Sequence, residues 1–536
     1  MNTQTRSLLI LCVLFAVLMS LPWLVPHLGA LALIGFVPLL CAERIASLGG
    51  CRRFWLWHYA AFVLWNAFTT FWVCGATVGG GIFAVLANAL QMSLIFGLFR
   101  FSKKHLDGVL PYVFLAAAWI AWERWYFGTQ ISWPWLVLGN AFARTTHCIQ
   151  WYEYTGTLGG SLWIWAVNLG VFGLMVSLSD GRWWGWNRIA RWSAAIGLTL
   201  VIAGPLAASA IIYAGYEERS EGTVDVLIGQ PDIDPYEKFE AMPQSAQTAL
   251  LLDIFRDGMK DGGKAPQLLL APETFCGDIF LNNVHGSATM MRFRDFLREY
   301  PHTDLLFGAS TYDIYGRRSA PSPYARPYGD GWYEAHNSAL VTDSSGRYEL
   351  FHKSKLVVGT ELMPYPKLFA PLDDALGGVM GRCVGQDGIS LLHLQDGTPL
   401  GCAVCYESVY GEYCTGYVRE GAKAIAVITN DAWWGNTPGY RQHLSYSSLR
   451  AIELRRDIAR CGNTGISAFI DQRGDIVSRT EWWKEASLRG EVNLSSEQTF
   501  FVRHGDMAGR VCTFLFLMLL LLLVVRTVSG GSRRGR

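Results

Sequence analysis

PLGCAVCYESVYGE, residues 399–412, places Cys402 and Cys405 three positions apart. That spacing admits a redox pair, half of a zinc site, or a single nucleophile beside an unrelated neighbour. Side chains of a strand alternate faces with period two, so two cysteines an odd number apart point to opposite sides. Redox pairs of this spacing open a helix, where both sulfurs meet. A four-ligand zinc site needs a second pair, and residues 215–506 hold no other Cys-x-x-Cys and no His-x-x-x-His. The stretch therefore reads as an apolar strand that carries Cys402 into the core and ends at Cys405, with Tyr406 and Glu407 next. An inert buried cysteine and a reactive thiol at a strand end both remain compatible with it.

Other apolar runs end on polar residues too. QLLLAPE (267–273) closes on Glu273, YELFH is followed by Lys353, and AKAIAVITN (422–430) closes on Asn430 and Asp431. With TVDVLIGQ (223–230), TDLLFGAS (303–310), NSALVTD (337–343) and GISAFID (465–471) these runs are strand candidates. Apolar residues at helical spacing predict helices over 246–260, 288–300 and 443–460. Strands alternating with helices imply an α/β sandwich. The Gly-, Pro- and Tyr-rich segment 312–335 reads as a mobile loop, and 371–389 is similar in composition.

Outside that region the chain is far more apolar. Of 536 residues 51% are hydrophobic and 17% charged, against about 25% charged in soluble domains; the mean hydropathy is +0.21. Runs at 7–25, 28–43, 54–74, 80–99, 109–123, 160–178, 193–214 and 507–525 each approach the ~20 residues that cross a bilayer core. Arg6, Arg44, Arg52, Arg53, Arg100, Lys103, Lys104, Arg182, Arg188, Arg191 and Arg526 fall on one side of these spans, which places both termini in the cytoplasm and residues 215–506 outside it. The expected organisation is a seven-span region (1–214), an extracytoplasmic domain (215–506), and a last span with a basic tail (507–536). A net charge of +1 without a basic patch argues against nucleic acid as a partner. Twelve cysteines in this length do not make a disulfide scaffold, although Cys276, Cys383, Cys402, Cys405, Cys414 and Cys461 leave pairings within the domain open.

The order Glu…Lys…Cys, with PE at 272–273, HK at 352–353 and CYE at 405–407, resembles the nitrilase (carbon–nitrogen hydrolase) superfamily. Spans on both sides of the domain, together with NDAWWG (430–435), His443 and LRAIELRRDIARCGNTGIS (449–467), make the chain similar to that superfamily's membrane-embedded apolipoprotein N-acyltransferase family. The resemblance implies a four-layer αββα nitrilase-like sandwich fused to an eight-helix transmembrane bundle, in a bacterial inner membrane with the catalytic domain periplasmic. It implies a catalytic triad of Glu273, Lys353 and Cys405. Glu361, at the family's offset of eight from Lys353, would be a second acid, although VVGTE (357–361) replaces the usual Pro-Phe-Gly-Glu. Glu407 would position the loop and Tyr406 would pack beside the site. Phe239, Asn430, Trp433, Trp434 and His443 are weaker candidates for lining the substrate site.

The implied reaction passes an acyl chain from a phospholipid through a Cys405 thioester to the N-terminal amine of a diacylglyceryl apolipoprotein. Neither a metal nor a diffusible cofactor is required. Residue chemistry agrees with these roles. A thiol of pKa about 8.5 needs a base, an acid at a strand end supplies one, and a buried ammonium suits an oxyanion. Two other readings are a membrane-tethered amidase acting on small amides and a non-catalytic ligand-binding membrane protein. Soluble amides do not call for eight spans. A ligand pathway would call for charges inside them, where the sequence offers chiefly Asn66, Asn88, Asn168 and His58.

Overall fold

In the computed structural model, which describes residues 2–534 apart from 236, 261–262, 317 and 376–377, the quoted stretch is a strand that stops one residue short of Cys405. Contacts divide the chain into two units: Met1–Thr129, Trp133–Tyr216 and His504–Arg536 form one, and Gln130–Ser132 with Glu217–Arg503 the other.

The second unit contains fourteen strands among the described residues: β1 (Thr223–Gln230), β2 (Leu268–Leu270), β3 (Cys276–Phe280), β4 (Asp304–Tyr315), β5 (Arg326–Tyr328), β6 (Gly331–Thr342), β7 (Tyr348–His352), β8 (Leu392–His393), β9 (Pro399–Val404), β10 (Ala424–Thr429), β11 (Ile458–Gly462), β12 (Ala468–Ile470), β13 (Ile476–Arg479) and β14 (Ala486–Asn493). They form two sheets. One runs β14-β1-β2-β4-β6-β5, with β3 beside β4 and β7 beside β6; the other runs β13-β12-β11-β10-β9-β8. The β1–β2–β4 and β9–β10–β11 neighbours are parallel, as buried strands joined by helical crossovers must be.

Period-two patterning sorts the core. Leu227, Leu269, Leu305, Phe307 and Leu340 pack with Leu251, Phe255, Phe293 and Phe296 of helices Gln244–Lys260 and Ala288–Leu297. The alternate residues Val226, Ile228, Leu268, Leu270, Leu306 and Val341 join Leu400, Cys402, Val404 and Ile458 of the second sheet. Tyr417 and Val418 of Gly411–Arg419, with Leu444, Ala451 and Leu454 of Pro438–Leu454, complete that cluster.

The structure corrects three expectations. The helix expected over 443–460 spans Pro438–Leu454, because Arg455 turns left-handed (φ 49°) and Ile458–Gly462 then pairs with β10. Helical spacing misled there because Arg450, Arg456 and Arg460 are themselves buried. Half of the loop expected over 312–335 is sheet, since β4 and β6 stay paired as far as Tyr315 opposite Trp332 and β5 adds to β6. Lastly, Cys405 lies outside β9 in a left-handed conformation (φ 51°). A turn, and not the pleat, therefore sets the direction of its side chain, and Cys402 and Cys405 belong to one buried cluster. All twelve cysteines are free.

The first unit contains six helical segments of at least 18 residues that are apolar enough to cross a membrane, among the described residues: Thr3–Leu24, Gly29–Leu48, Val78–Ser102, Tyr152–Ser179, Arg188–Gly215 and Met507–Ser529. Two further helices, Phe54–Thr70 and Leu110–Tyr126, have 17 residues each. Polar side chains tie these helices together, as they do where water is excluded. His58 Nδ1 lies 2.8 Å from Ser93 Oγ, Asn88 donates to Asn66 at 2.7 Å, and Asn168 accepts from the Phe36 amide at 2.8 Å. Three acids are also buried here among the described residues, Glu43, Glu123 and Asp506. Glu43 pairs with Lys103, and Glu123 accepts from the Leu138 amide at 2.8 Å.

Glu273 reaches the site because the turn after β2 lies directly on β4. A Cβ on Gly308 would sit 2.5 Å from the Glu273 Cα and 2.6 Å from the Thr274 nitrogen. Backbone offers no rotamer escape, so Gly308→Ala should lower stability by about 1–3 kcal/mol. A drop in melting temperature of the detergent-solubilised chain checks this; an unchanged value refutes the close packing.

Candidate active site

Four strands deliver the polar residues read from the sequence. Glu273 follows β2, Lys353 follows β7, Cys405 follows β9 and Asn430 follows β10. Each stands at or just beyond a strand's C-terminal end, where side chains from neighbouring strands converge without belonging to the ladder.

The ammonium of Lys353 is 1% exposed and lies between two carboxylates, 3.0 Å from Glu273 Oε1 and 2.9 Å from Glu361 Oε1. Burial opposes its charge, but Glu273, Glu361 and Cys405 outweigh that and hold its pKa well above the usual lysine value. Asn337 Nδ2 donates to both acids, at 2.8 Å to Glu273 and 2.6 Å to Glu361. Glu273 Oε2 accepts from the Asn430 amide at 3.1 Å, and Glu361 Oε2 from the Val357 amide at 2.7 Å. Both carboxylates are thus fixed at both oxygens.

The Cys405 thiol faces this cluster. Burial raises its pKa well above the ordinary value, Glu273 and Asp431 add to that, and Lys353 opposes it. At neutral pH the resting group is therefore a thiol. Thr429 Oγ1 stands 3.2 Å from the sulfur.

Behind the nucleophile lies a second buried group. Asp431 Oδ1 meets His443 Nδ1 at 2.8 Å, and Asp431 Oδ2 accepts from Arg460 at 2.8 Å. Burial would raise the Asp431 pKa, but His443 and Arg460 pull it down to about 2. His443 Nε2 lies 3.1 Å from the Cys405 carbonyl oxygen, to which Ser408 also donates at 2.7 Å. Arg450 donates to the carbonyls of Ser408 and Val409. Ligand atoms of Cys405, Asp431 and His443 lie within 4.8 Å of one another. Arg460 already neutralises the carboxylate, which makes the trio a poor cation cage.

Glu407 is fully buried and ties two site segments together. It accepts from the Ser354 and Lys355 amides, just after Lys353, and from the Val404 amide, just before Cys405. Tyr406 is buried and donates its hydroxyl to the Ser132 carbonyl at 2.9 Å. Lys355, which as an isolated residue reads as a solvated surface lysine, is half-buried with its ammonium over the rings of Tyr410 and Tyr413.

The substrate-lining candidates divide. Asn430 is nearly buried beside Glu273, and its Nδ2 has no hydrogen-bond partner among the described residues. Trp433 is exposed, and Trp434 packs edge-on against His443. His443 itself is fully buried and lines no surface, because Asp431 and the Cys405 carbonyl hold its two nitrogens inward. Phe239 lies in the turn Glu237–Ala241, and its side chain falls outside the described residues.

Sequence reasoning missed Asn337, Thr429 and Arg460. Asn337 opens an apolar run, Thr429 sits inside one, and Arg460 falls at the end of the stretch expected as a helix. Beside Phe239, Lys238 donates to the Glu273 carbonyl at 3.2 Å, and burial lowers its pKa to about 8 against the pull of Glu273.

Asp431 gives the site a pH signature. Its folded pKa of about 2 lies below the ordinary 3.8, so its stabilisation is complete above about pH 4 and is lost as pH falls toward 2. By linkage this is on the order of 2 kcal/mol. Asp431→Asn should melt below wild type at pH 6, and the gap should narrow as pH falls through 4 to 2. A gap constant with pH would show that the carboxylate is not ionised in the fold.

Residues 318–500 match the carbon-nitrogen hydrolase family, and residues 15–170 match the apolipoprotein N-acyltransferase N-terminal domain. The apolipoprotein N-acyltransferase of Chlorobaculum tepidum is 28% identical over 94% of this chain and 93% of its own length. That of Geobacter metallireducens is 26% identical over 94% of this chain and 92% of its own. Among solved structures, an amidase of Nesterenkonia sp. AN1 is 16% identical, covering 53% of this chain and 96% of the amidase, with a TM-score of 0.34. An N-terminal acyltransferase region joined to a hydrolase region, in relatives aligned almost end to end, fixes the lineage: the chain belongs to the apolipoprotein N-acyltransferase family, within the nitrilase superfamily.

Proposed function

We propose that this protein transfers an acyl chain from a phospholipid to the N-terminal amine of a diacylglyceryl-cysteine apolipoprotein, by way of a thioester on Cys405. The observation that carries the assignment of residues is the buried Lys353 ammonium held by Glu273 and Glu361 beside the Cys405 thiol.

Glu273 takes the thiol proton as the sulfur attacks the ester carbonyl. Lys353 faces the oxyanion that develops, with the backbone N–H after Cys405; one such donor is typically worth about 3–4 kcal/mol of barrier. Glu273 returns the proton to the departing glycerol oxygen, which leaves as a lysophospholipid and breaks the acyl–oxygen bond. The apolipoprotein amine then attacks the thioester and loses a proton to Glu273, which passes it to the departing Cys405 sulfur as the acyl–sulfur bond breaks and the amide forms. Glu361 keeps Lys353 in place, and Glu407 fixes the turns that present Lys353 and Cys405. In this reading Asn430, Trp433 and Trp434 line the acyl site. Neither step calls for a metal or a diffusible cofactor.

Residues 1–214 and 507–536 form the membrane part, an eight-helix bundle in this reading: the six long apolar helices and the two of 17 residues. Residues 215–506 form the catalytic domain, an αββα sandwich supported by helices packed on the outer face of each sheet. The basic loops place that domain on the periplasmic face of the bacterial inner membrane, with both termini cytoplasmic.

Two measurements test this. Incubated with phospholipid, the wild type should gain an acyl adduct on Cys405 by mass spectrometry, which the apolipoprotein amine discharges. Glu273→Gln should slow adduct formation by about 10²–10⁴, Cys405→Ala should abolish it, and Cys402→Ala should keep it. Discharge by water alone, with no acylated amine, would make the protein an amidase-type hydrolase; an adduct surviving in Cys405→Ala would refute the nucleophile. For orientation, the domain's native cysteines are buried or half-buried, so Arg298→Cys, at an exposed site, serves as the reporter. A membrane-impermeant maleimide should label it in intact spheroplasts. Labelling only after lysis would reverse the topology.

A further inference from the structure

The hydroxyl of Thr429 has one proton and two neighbours that can accept it. Asp431 Oδ1 lies at 2.7 Å and Cys405 Sγ at 3.2 Å. Thr429, Asp431, His443 and Arg460 are all fully buried, so no water competes for these bonds. Asp431 is an ionised carboxylate anchored by His443 and Arg460, a stronger acceptor than a neutral thiol. While Cys405 carries its proton, Thr429 therefore donates to Asp431 and offers its lone pairs to the S–H. A thiolate reverses the preference, because an anionic sulfur in a dry site outcompetes a carboxylate that keeps Arg460 and His443.

We propose that Thr429 is a catalytic residue of the Cys405 site, a hydroxyl that turns from Asp431 to the sulfur when the thiolate forms. This deepens the acyl-transfer reading above and rests on it for the identity of the nucleophile. The step balances within the site. The S–H bond breaks, the proton passes to a Glu273 carboxylate oxygen, and the Thr429 O–H exchanges one acceptor for another. Asp431 loses one of its hydrogen bonds and keeps the ion pair with Arg460. Thr429 ends β10, one residue before Asn430 donates its amide to Glu273, so one strand end addresses both the base and the sulfur. The charged groups that face the sulfur are Glu273, Lys353 and Asp431. Thr429 adds a donor without adding a charge.

The test reads the sulfur directly and does not need the lipid substrates. The full-length chain in detergent is alkylated with iodoacetamide from pH 6 to 10, and modification of the Cys405 peptide is followed by mass spectrometry. Thr429→Val keeps the shape and removes the hydroxyl. It should move the alkylation profile to higher pH by about one to two units and slow alkylation at neutral pH about tenfold or more, since hydrogen bonds to charged groups are the strong ones. Thr429→Ser should stay within about threefold of wild type. If Thr429→Val melts well below wild type, Thr429→Ala, which adds no bulk, carries the comparison. A Val or Ala profile superimposed on wild type, with the fold intact, overturns the proposal, and so does a Ser variant as impaired as Val. A shifted profile in a protein that forms no acyl adduct would refute acyl transfer and leave the role of Thr429 standing.

Discussion

Lys353 is a cation that water does not reach, and it persists there because two carboxylates and an amide close around it. A buried charge left without its partner costs about 3–5 kcal/mol, so this cluster constrains everything that supplies it. Glu273 must arrive from the first sheet by a turn pressed against β4, which is why position 308 has no side chain. Asn337, near the middle of β6, must project between the two acids. Glu361 must return from the segment after Lys353, and its second oxygen is held by the Val357 amide for that purpose. The ammonium thus ties together the ends of β2 and β7 and the middle of β6 within one sheet, and Glu273 carries the cluster across to Asn430 of the other sheet.

Burial chiefly sets the state of the thiol, and the negative charge of Glu273 and Asp431 adds to it against the pull of Lys353. Cys405 therefore keeps its proton. Passing that proton to Glu273 moves a negative charge a short way inside the cluster without creating a new one. Preorganised charge of this kind is effective because little has to reorient when the reaction occurs.

What could be read from the sequence follows from the range of the forces involved. Glu273, Lys353 and Cys405 were visible because each interrupts an apolar pattern at the point where a strand must end, and a strand's ends are local facts. Asn337 and Thr429 were hidden because one opens an apolar run and the other lies within one, where a buried polar residue is tolerable only if a partner distant in sequence accepts it. Arg450, Arg456 and Arg460 fall within the stretch expected as one helix over 443–460, where apolar spacing says nothing of their burial. Charge at helical spacing signals exposure unless ion pairs and carbonyls compensate it inside, and here Glu453, Asp431 and the backbone do so. The alternation rule gave the right fate for Cys402 for a reason that did not extend to Cys405, since the strand ends before the second cysteine is reached.

The turn at Cys405 shows why the pleat was never sufficient. A residue with a side chain in the left-handed region is strained, and it stays there only if its surroundings over-determine it. Here they do. Ser408 and His443 hold the Cys405 carbonyl, Arg450 holds the carbonyls of Ser408 and Val409, and Glu407 draws in the Val404 amide. Those same contacts expel Cys405 from the strand and aim its sulfur at the cluster. Backbone strain at the nucleophile and charge at the lysine are therefore balanced by separate sets of side chains. The sets meet at one strand end: Thr429 reaches the sulfur, Asn430 reaches the base, and Asp431 anchors both to the arginine behind them.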